Sequence, residues 1–236
     1  MAALNRFDPS WLLYADDDFL VVDKPSGLSV LKDRTGSADL WTLAEAYFGP
    51  LKLVHRIDKG TSGVIVLARR AEVQKAMTQA FAARTTRKRY LARVVGALHL
   101  AGTATLDLPL RKGRKNRYRI AAPRDAIHRS GDHFSCESDG GAAYPATTRA
   151  RLVRREANSS VLMLGPQTGR THQLRVHLAW IGHAIVGDTL YGTPRAPEQA
   201  FRRLCLHAHS LELPGFGRFV APRPAFAARQ KGGTAG

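Results

Sequence analysis

The sequence predicts a mixed α/β (α+β) fold, because two kinds of apolar pattern are interleaved along it. Apolar residues at helical spacing occur at Leu40, Leu43, Ala44, Tyr47 and Phe48, and again at Val73, Ala76, Met77, Ala80 and Phe81. Compact β-branched runs stand between and after them, with Val64, Ile65, Val66 and Leu67 the densest. The first kind of pattern marks one buried helix face, and the second a buried strand. At 236 residues the chain is long enough to bury a core as a single domain. We expect that domain over residues 1–227, with a frayed polar tail over 228–236.

Taken in order, residues 1–10 read as a lead-in. Asp16, Asp17 and Asp18 form a turn, and Phe19 to Val22 a short strand. Pro25 and Gly27 then punctuate DKPSGLSV, leaving Lys24 at a strand end beside a loop. The first helix starts at Leu40 and is ended by Gly49 and Pro50. After the Val64–Leu67 strand and the second helix, YLARVVG reads as β structure. Six of the nine residues from Arg111 to Arg119 are basic, which predicts a solvated basic loop. Residues 121–145 show little periodicity and read as an irregular connection or insertion. Residues 146–155 and 160–166 read as neighbouring strands joined by a turn around Glu156 to Asn158. Leu174, Leu178 and Ile181 mark a third helix face, with Gly182 as its C-cap. LHAHSLEL, residues 206–213, reads as a late strand.

The charge balance narrows the partners. Thirty-six Lys and Arg against 19 Asp and Glu give a formal charge of +17. Such an excess points to a polyanion, with nucleic acid ahead of an anionic membrane surface. Two cysteines, Cys136 and Cys205, provide no bridge framework and no metal-ligand pair. A reduced, cytoplasmic setting is expected. No signal-like apolar segment opens the chain, and no run of about 18 apolar residues exists to span a membrane.

The chemistry centres on LVHRIDKGTSGVIVLARR, residues 53–70. Asp58 lies in a turn between the cations Arg56 and Lys59, and Gly60 and Gly63 permit a tight bend. A carboxylate fixed on a loop before a rigid strand suits a nucleophile or general base. An Asp in such a turn also serves simply to cap backbone N–H groups, and the local sequence alone leaves both roles open.

HRIDKGTSG resembles the HRLDxxTSG signature of the RluA family of pseudouridine synthases, with Ile57 in place of the usual Leu. Three further blocks carry the resemblance. VVDKPSGLSV resembles the family's first motif, and Lys88-Arg89-Tyr90 its K-x-Y motif. GRTHQLRVHLAWIGHAIVGDTLYG resembles GRxHQLRxH…GHPIxGDxxYG, with Ala184 where proline is usual. The matching segments run from about Tyr14 to Phe226 and are weakest over 121–145. No S4-type RNA-binding domain is expected ahead of the first motif, as in the shorter family members.

The resemblance implies a largely antiparallel central sheet with flanking helices and a catalytic cleft. It implies isomerisation of uridine to pseudouridine in an rRNA hairpin, a tRNA stem-loop or both. It gives Asp58 as the catalytic aspartate. Arg175 is expected to pair with Asp58, keeping it ionised and oriented, through a fork that suits a carboxylate bidentately. Tyr90 is expected to offer a face and a hydroxyl to the base, and Leu174 an apolar wall. Arg56 is expected to fill the gap left by a flipped nucleotide. Lys112, Arg114, Lys115 and Arg117 are candidate RNA-backbone contacts. The reaction is redox-neutral, so no metal or other cofactor is expected, and the working state is expected to be a monomer.

Two other classes compete. His172, His177, His183, His207 and His209 suggest a metal hydrolase, but His172 and His177 lack the i, i+4 spacing of a zincin helix, and no acidic cluster lies nearby. A non-catalytic basic RNA-binding or ribosome-assembly protein would explain the charge but would make no use of Asp58.

Overall fold

The computed structural model describes residues 5–33, 36–114, 117–192 and 201–228. The N-terminal half runs β1 (Leu12–Ala15), β2 (Phe19–Lys24), α1 (Leu40–Phe48), β3 (Lys52–Leu53), β4 (Ser62–Ala68), α2 (Ala71–Ala82) and β5 (Arg87–Val95). There follow β6 (Thr103–Asp107), β7 (Leu110–Lys112), β8 (Tyr118–Ile120), β9 (His128–Ser130) and β10 (His133–Ser135). The chain closes with β11 (Thr147–Arg155), β12 (Ser159–Pro166), α3 (Gln173–Trp180), β13 (Leu206–Leu213) and β14 (Gly217–Val220). Among the described residues, twelve strands form one sheet, ordered β1-β2-β4-β13-β5-β12-β11-β6-β10-β9, with β14 paired to β13 and β3 to β4. Only the β13–β4 and β10–β6 pairs among them are parallel. The sheet is thus largely antiparallel, and the chain is mixed α+β.

The period of two along β2 and β4 builds two cores back to back. Leu20, Val22, Ile65 and Leu67 pack on one face with Leu40, Leu43 and Ala44 of α1. Phe19, Val21, Val64 and Val66 pack on the other with Val73 and Met77 of α2. Alternate side chains of a strand point to opposite faces, so a continuous apolar run is what a strand covered on both faces requires. Asp39 caps α1 by accepting from the Thr42 N–H at 3.0 Å, and Gly49 ends it at φ +82°.

The third core lies between the α3 layer and the β5–β12–β11–β6 part of the sheet. The sequence predicts one apolar face for α3, yet every residue from Gln173 to Ala179 is buried. The polar members survive there because each is bonded. Gln173 Oε1 accepts from the Thr168 hydroxyl at 2.7 Å, and its Nε2 donates to the Thr147 carbonyl at 3.0 Å. His177 Nε2 lies 3.0 Å from the Leu108 carbonyl, and Arg175 meets carboxylates.

Two expectations change. Residues 121–145 are not wholly irregular: β9 and β10 form a hairpin there, and β10 extends the sheet alongside β6. The strands are three residues each, too short for a readable alternation. The basic stretch is a two-stranded ribbon rather than a plain loop, with β7 antiparallel to β8 and the Gly113 N–H donating to the Arg117 carbonyl at 2.7 Å. Lys115 within it, and the expected tail beyond residue 228, lie outside the described residues.

Candidate active site

Asp58 stands on the turn between β3 and β4, closed by the Thr61 N–H donating to the Asp58 carbonyl at 3.0 Å. The loop after β2 clamps this turn from outside. The Gly27 N–H donates to the Lys59 carbonyl at 2.9 Å, and the Ser26 hydroxyl to the Gly60 carbonyl at 2.6 Å. Lys24, fully buried, donates to the carbonyls of Pro25, Leu28 and Lys59 at 2.9, 2.6 and 3.2 Å. Burial, with the charge of Arg203, pulls its amine down to about 7. Three carbonyl acceptors match the three N–H donors of the ammonium form. Behind the turn, Gly63 has φ +111°, and a Cβ there would lie 2.2 Å from the Ala208 carbonyl oxygen of β13. The motif's glycine therefore lets β4 meet β13 directly, five residues after Asp58.

Arg175 reaches Asp58 from α3, 117 positions along the chain, with Nη1 at 3.1 Å from Oδ2. The Arg175 side chain is 8% exposed and that of Asp58 30%. The bidentate face of the guanidinium goes elsewhere. Nε and Nη2 each donate to Asp188, at 2.8 Å to Oδ2 and 2.8 Å to Oδ1. The expected pairing with Asp58 is present, but as a single bond from an arginine already locked to a second carboxylate. Burial alone would raise the Asp188 carboxyl, but Arg175 and the N–H groups of Leu190 and Tyr191 outweigh it and hold it below the usual carboxylate range.

Two grooves meet at this pair. One, of about 670 Å³, has Tyr90, Leu174, Leu206 and Phe81 among its walls. The other, of about 1190 Å³, carries Lys32, Lys59 and Arg202. Arg56, Asp58, His172 and Arg175 line both. Tyr90 therefore shares a groove with Asp58, as expected, and Leu174 forms an apolar wall of it. Burial first, and the charge of Asp58 second, raise the Tyr90 phenol, so it remains a neutral hydroxyl. Arg56 is exposed where the grooves join. Lys112, Arg114 and Arg117 are exposed on the ribbon, whose Tyr118 N–H donates to the Tyr191 hydroxyl at 2.8 Å. The ribbon is thus anchored at the site's edge.

Sequence reasoning passed over Asp188 and Tyr191 as site residues, weighed His172 only as a metal ligand, and gave Lys24 no role. All four lie within blocks whose pattern was readable, but nothing local shows that a distant arginine needs two carboxylates. The five histidines do not converge. His172 faces Tyr191, His183 the Val95 carbonyl and His207 the Ser62 hydroxyl. Among the described residues, no three His, Cys, Asp or Glu side chains are grouped to hold a metal ion.

Comparison with known proteins agrees with the geometry. Residues 18–180 match the family model for RNA pseudouridylate synthase. The chain is 36% identical to the dual-specificity RNA pseudouridine synthase RluA of Escherichia coli K12, over 94% of this chain and 98% of that protein. It is 35% identical to the Vibrio cholerae protein of the same name, over 89% of this chain and 81% of that one. Among solved structures, human RNA pseudouridylate synthase domain containing 4 superposes with a TM-score of 0.74 at 26% identity, covering 92% of this chain and 90% of that chain. With a carboxylate, a buried arginine and an aromatic brought together from three distant segments, and relatives that match nearly end to end, the chain belongs to the RNA pseudouridine synthases, isomerases that act on RNA.

Proposed function

We propose that this synthase isomerises a uridine flipped out of a folded RNA, in an rRNA hairpin, a tRNA stem-loop or both, and that Asp58 is its catalytic carboxylate. The observation that carries the reading is the Arg175–Asp58 contact, made by the fold across 117 positions. The reaction breaks the bond from ribose C1′ to uracil N1 and forms one from C1′ to C5. A proton leaves C5 and one is gained at N1, so nothing is oxidised or reduced. A carboxylate serves this by adding at C1′ or by assisting departure of the base, and then by taking the C5 proton.

The other groups divide the labour of holding a detached base. Tyr90 offers its ring and a neutral hydroxyl, and Leu174 a dry wall. Flipping costs a few kcal/mol of stacking, and Arg56 at the groove junction fills the vacated space. Arg175 orients Asp58, and Asp188 fixes Arg175. The working unit in this reading is one catalytic domain, residues 1–227, acting as a cytoplasmic monomer without a cofactor. Relatives named as dual-specificity RNA pseudouridine synthases support a reading with more than one RNA substrate. Incubating the purified chain with an rRNA hairpin and with a tRNA anticodon stem-loop, then mapping pseudouridine, tests this. Conversion of either supports the reading, and conversion of neither, with the chain folded, overturns the substrate class.

The ribbon supplies phosphate contacts in this reading. Neutralising Lys112, Arg114, Lys115 and Arg117 should weaken RNA binding broadly. The log–log salt dependence of binding should become shallower by up to ~0.7–0.9 for each contact removed. An unchanged slope would place the ribbon away from RNA.

A further inference from the structure

His172 lies at the junction of the two grooves, and its surroundings fix which ring nitrogen carries the proton. Its Nδ1 is 2.9 Å from the Tyr191 hydroxyl, and that hydroxyl accepts the Tyr118 N–H at 2.8 Å. A neutral imidazole has one donor and one acceptor nitrogen. If Tyr191 donates to Nδ1, all three groups are satisfied. If Nδ1 bore the proton, the Tyr191 oxygen would accept twice and its own proton would have no acceptor among these partners. The other nitrogen settles the matter in the same sense. Nε2 faces Asp58 Oδ2 at 3.8 Å, where a lone pair would meet a carboxylate and an N–H would be attracted to it.

His172 has φ +57°, one of two positive values among the described non-glycine residues. That conformation is uncommon for a side-chain-bearing residue and is enriched for Asn, Asp and His. It also places His172 at the N-cap of α3 without a side-chain cap bond, so the ring is not spent on the helix. Burial lowers the imidazole, the charge of Asp58 opposes this, and Arg175 reinforces it. Asp188 is the remaining charged group acting on the ring, also opposing.

We propose that His172 is a positioning residue, held by Tyr191 as the Nε2–H tautomer, which joins Arg175 on Asp58 Oδ2 so that Oδ1 is the oxygen presented to the nucleoside. Arg175 Nη1 already occupies Oδ2 at 3.1 Å. The 3.8 Å gap to His172 is longer than a hydrogen bond, and such contacts tighten when substrate closes a site. His172 keeps its proton throughout. This rests on Asp58 being the reacting carboxylate. The tautomer itself can be measured without that assumption.

Nitrogen-15 NMR of the full chain, with His172 assigned by its loss in His172→Asn, reads the tautomer directly. An unprotonated Nδ1 and a protonated Nε2 at neutral pH are expected. Tyr191→Phe removes the donor to Nδ1, so the ring should become a tautomer mixture. That donor favours the neutral ring, so its loss should also raise the His172 titration midpoint. Turnover should fall only by the share of rings lost to the other tautomer, a few-fold, whereas His172→Asn, which removes the N–H from the Nε2 position, should cost ~10–100-fold, the scale of a hydrogen bond to a charged group. His172→Gln keeps an amide N–H near the Nε2 position and should retain more activity than His172→Asn, although Asn suits the positive φ better. A protonated Nδ1 in the wild type, an unchanged tautomer in Tyr191→Phe, or Asn outperforming Gln would overturn the proposal. Full activity of Asp58→Asn would instead remove the catalytic reading and leave the tautomer result standing.

Discussion

Arg175→Leu should cost the protein both stability and turnover, because the guanidinium is the shared partner of two carboxylates. Asp188 has no exposed side-chain surface, and Arg175 supplies two of its hydrogen bonds. Removing the arginine strands a buried negative charge, which costs about 3–5 kcal/mol when one partner of a buried pair is deleted. For a chain of this size that is a fall in melting temperature on the order of 10 °C. Asp58 loses its bonded cation in the same step, so turnover should collapse even where folded protein remains. Arg175→Lys keeps the charge but not the planar fork, and should restore part of the stability and little of the rate. Calorimetry and single-turnover assays on both variants check this. Wild-type melting in Arg175→Leu would show that the buried pair contributes no stability.

Asp188 adds an acid-side signature to the same network. Its folded carboxyl titrates below the unfolded value of about 3.9, held there by Arg175 and backbone donors against the effect of burial. The stability it contributes is therefore present above that value and lost as pH falls through the folded one. Between roughly pH 5 and pH 2, the wild type should lose more stability than Asp188→Asn, which carries no titrating carboxyl. Equal acid slopes would mean that the Asp188 carboxyl titrates alike in the folded and unfolded chain, so that Arg175 does not hold it down.

The sequence was legible where one strand or helix decides the outcome. The β-branched run at Val64–Leu67 is a strand covered on both faces, but the two helices before residue 85 bury only part of the stripes their spacing marks. Leu40, Leu43 and Ala44 on α1 and Val73 and Met77 on α2 are buried, while Tyr47 and Ala76 are exposed because neither helix is covered along its whole length. Asp58 and Arg175 were reachable because each sits in a long motif, and Tyr90 through the short K-x-Y motif that stands between them in the chain. What escaped depends on distant partners. The three-residue strands β9 and β10 take their order from pairing with β6 and with each other. Gln173, Arg175 and His177 are polar residues on different sides of α3, yet bonds to Thr147, Asp188 and Leu108 let all three be buried. Asp188 follows Gly187, whose φ of +75° and close approach to the Arg203 carbonyl help set the turn presenting it. No local pattern announces that such a turn ends under an arginine thirteen residues earlier.

Asp58→Asn is the substitution with the largest expected effect on catalysis. It keeps the size of the side chain, and its amide oxygen can still accept from Arg175, so the grooves and the clamp from Lys24 should be undisturbed. What is lost is the charge that adds at C1′ or takes the C5 proton. Loss of a central catalytic group of this kind costs ~10⁴-fold or more. Phosphate contacts, by contrast, do not involve Asp58, so affinity for folded RNA should stay within a few-fold of wild type. The decisive measurement is single-turnover conversion of uridine to pseudouridine in an rRNA hairpin or tRNA stem-loop by Asp58→Asn, with RNA binding measured on the same preparation. Binding preserved and no conversion above the enzyme-free rate is the expected result, and conversion at a rate near wild type would contradict the assignment of Asp58.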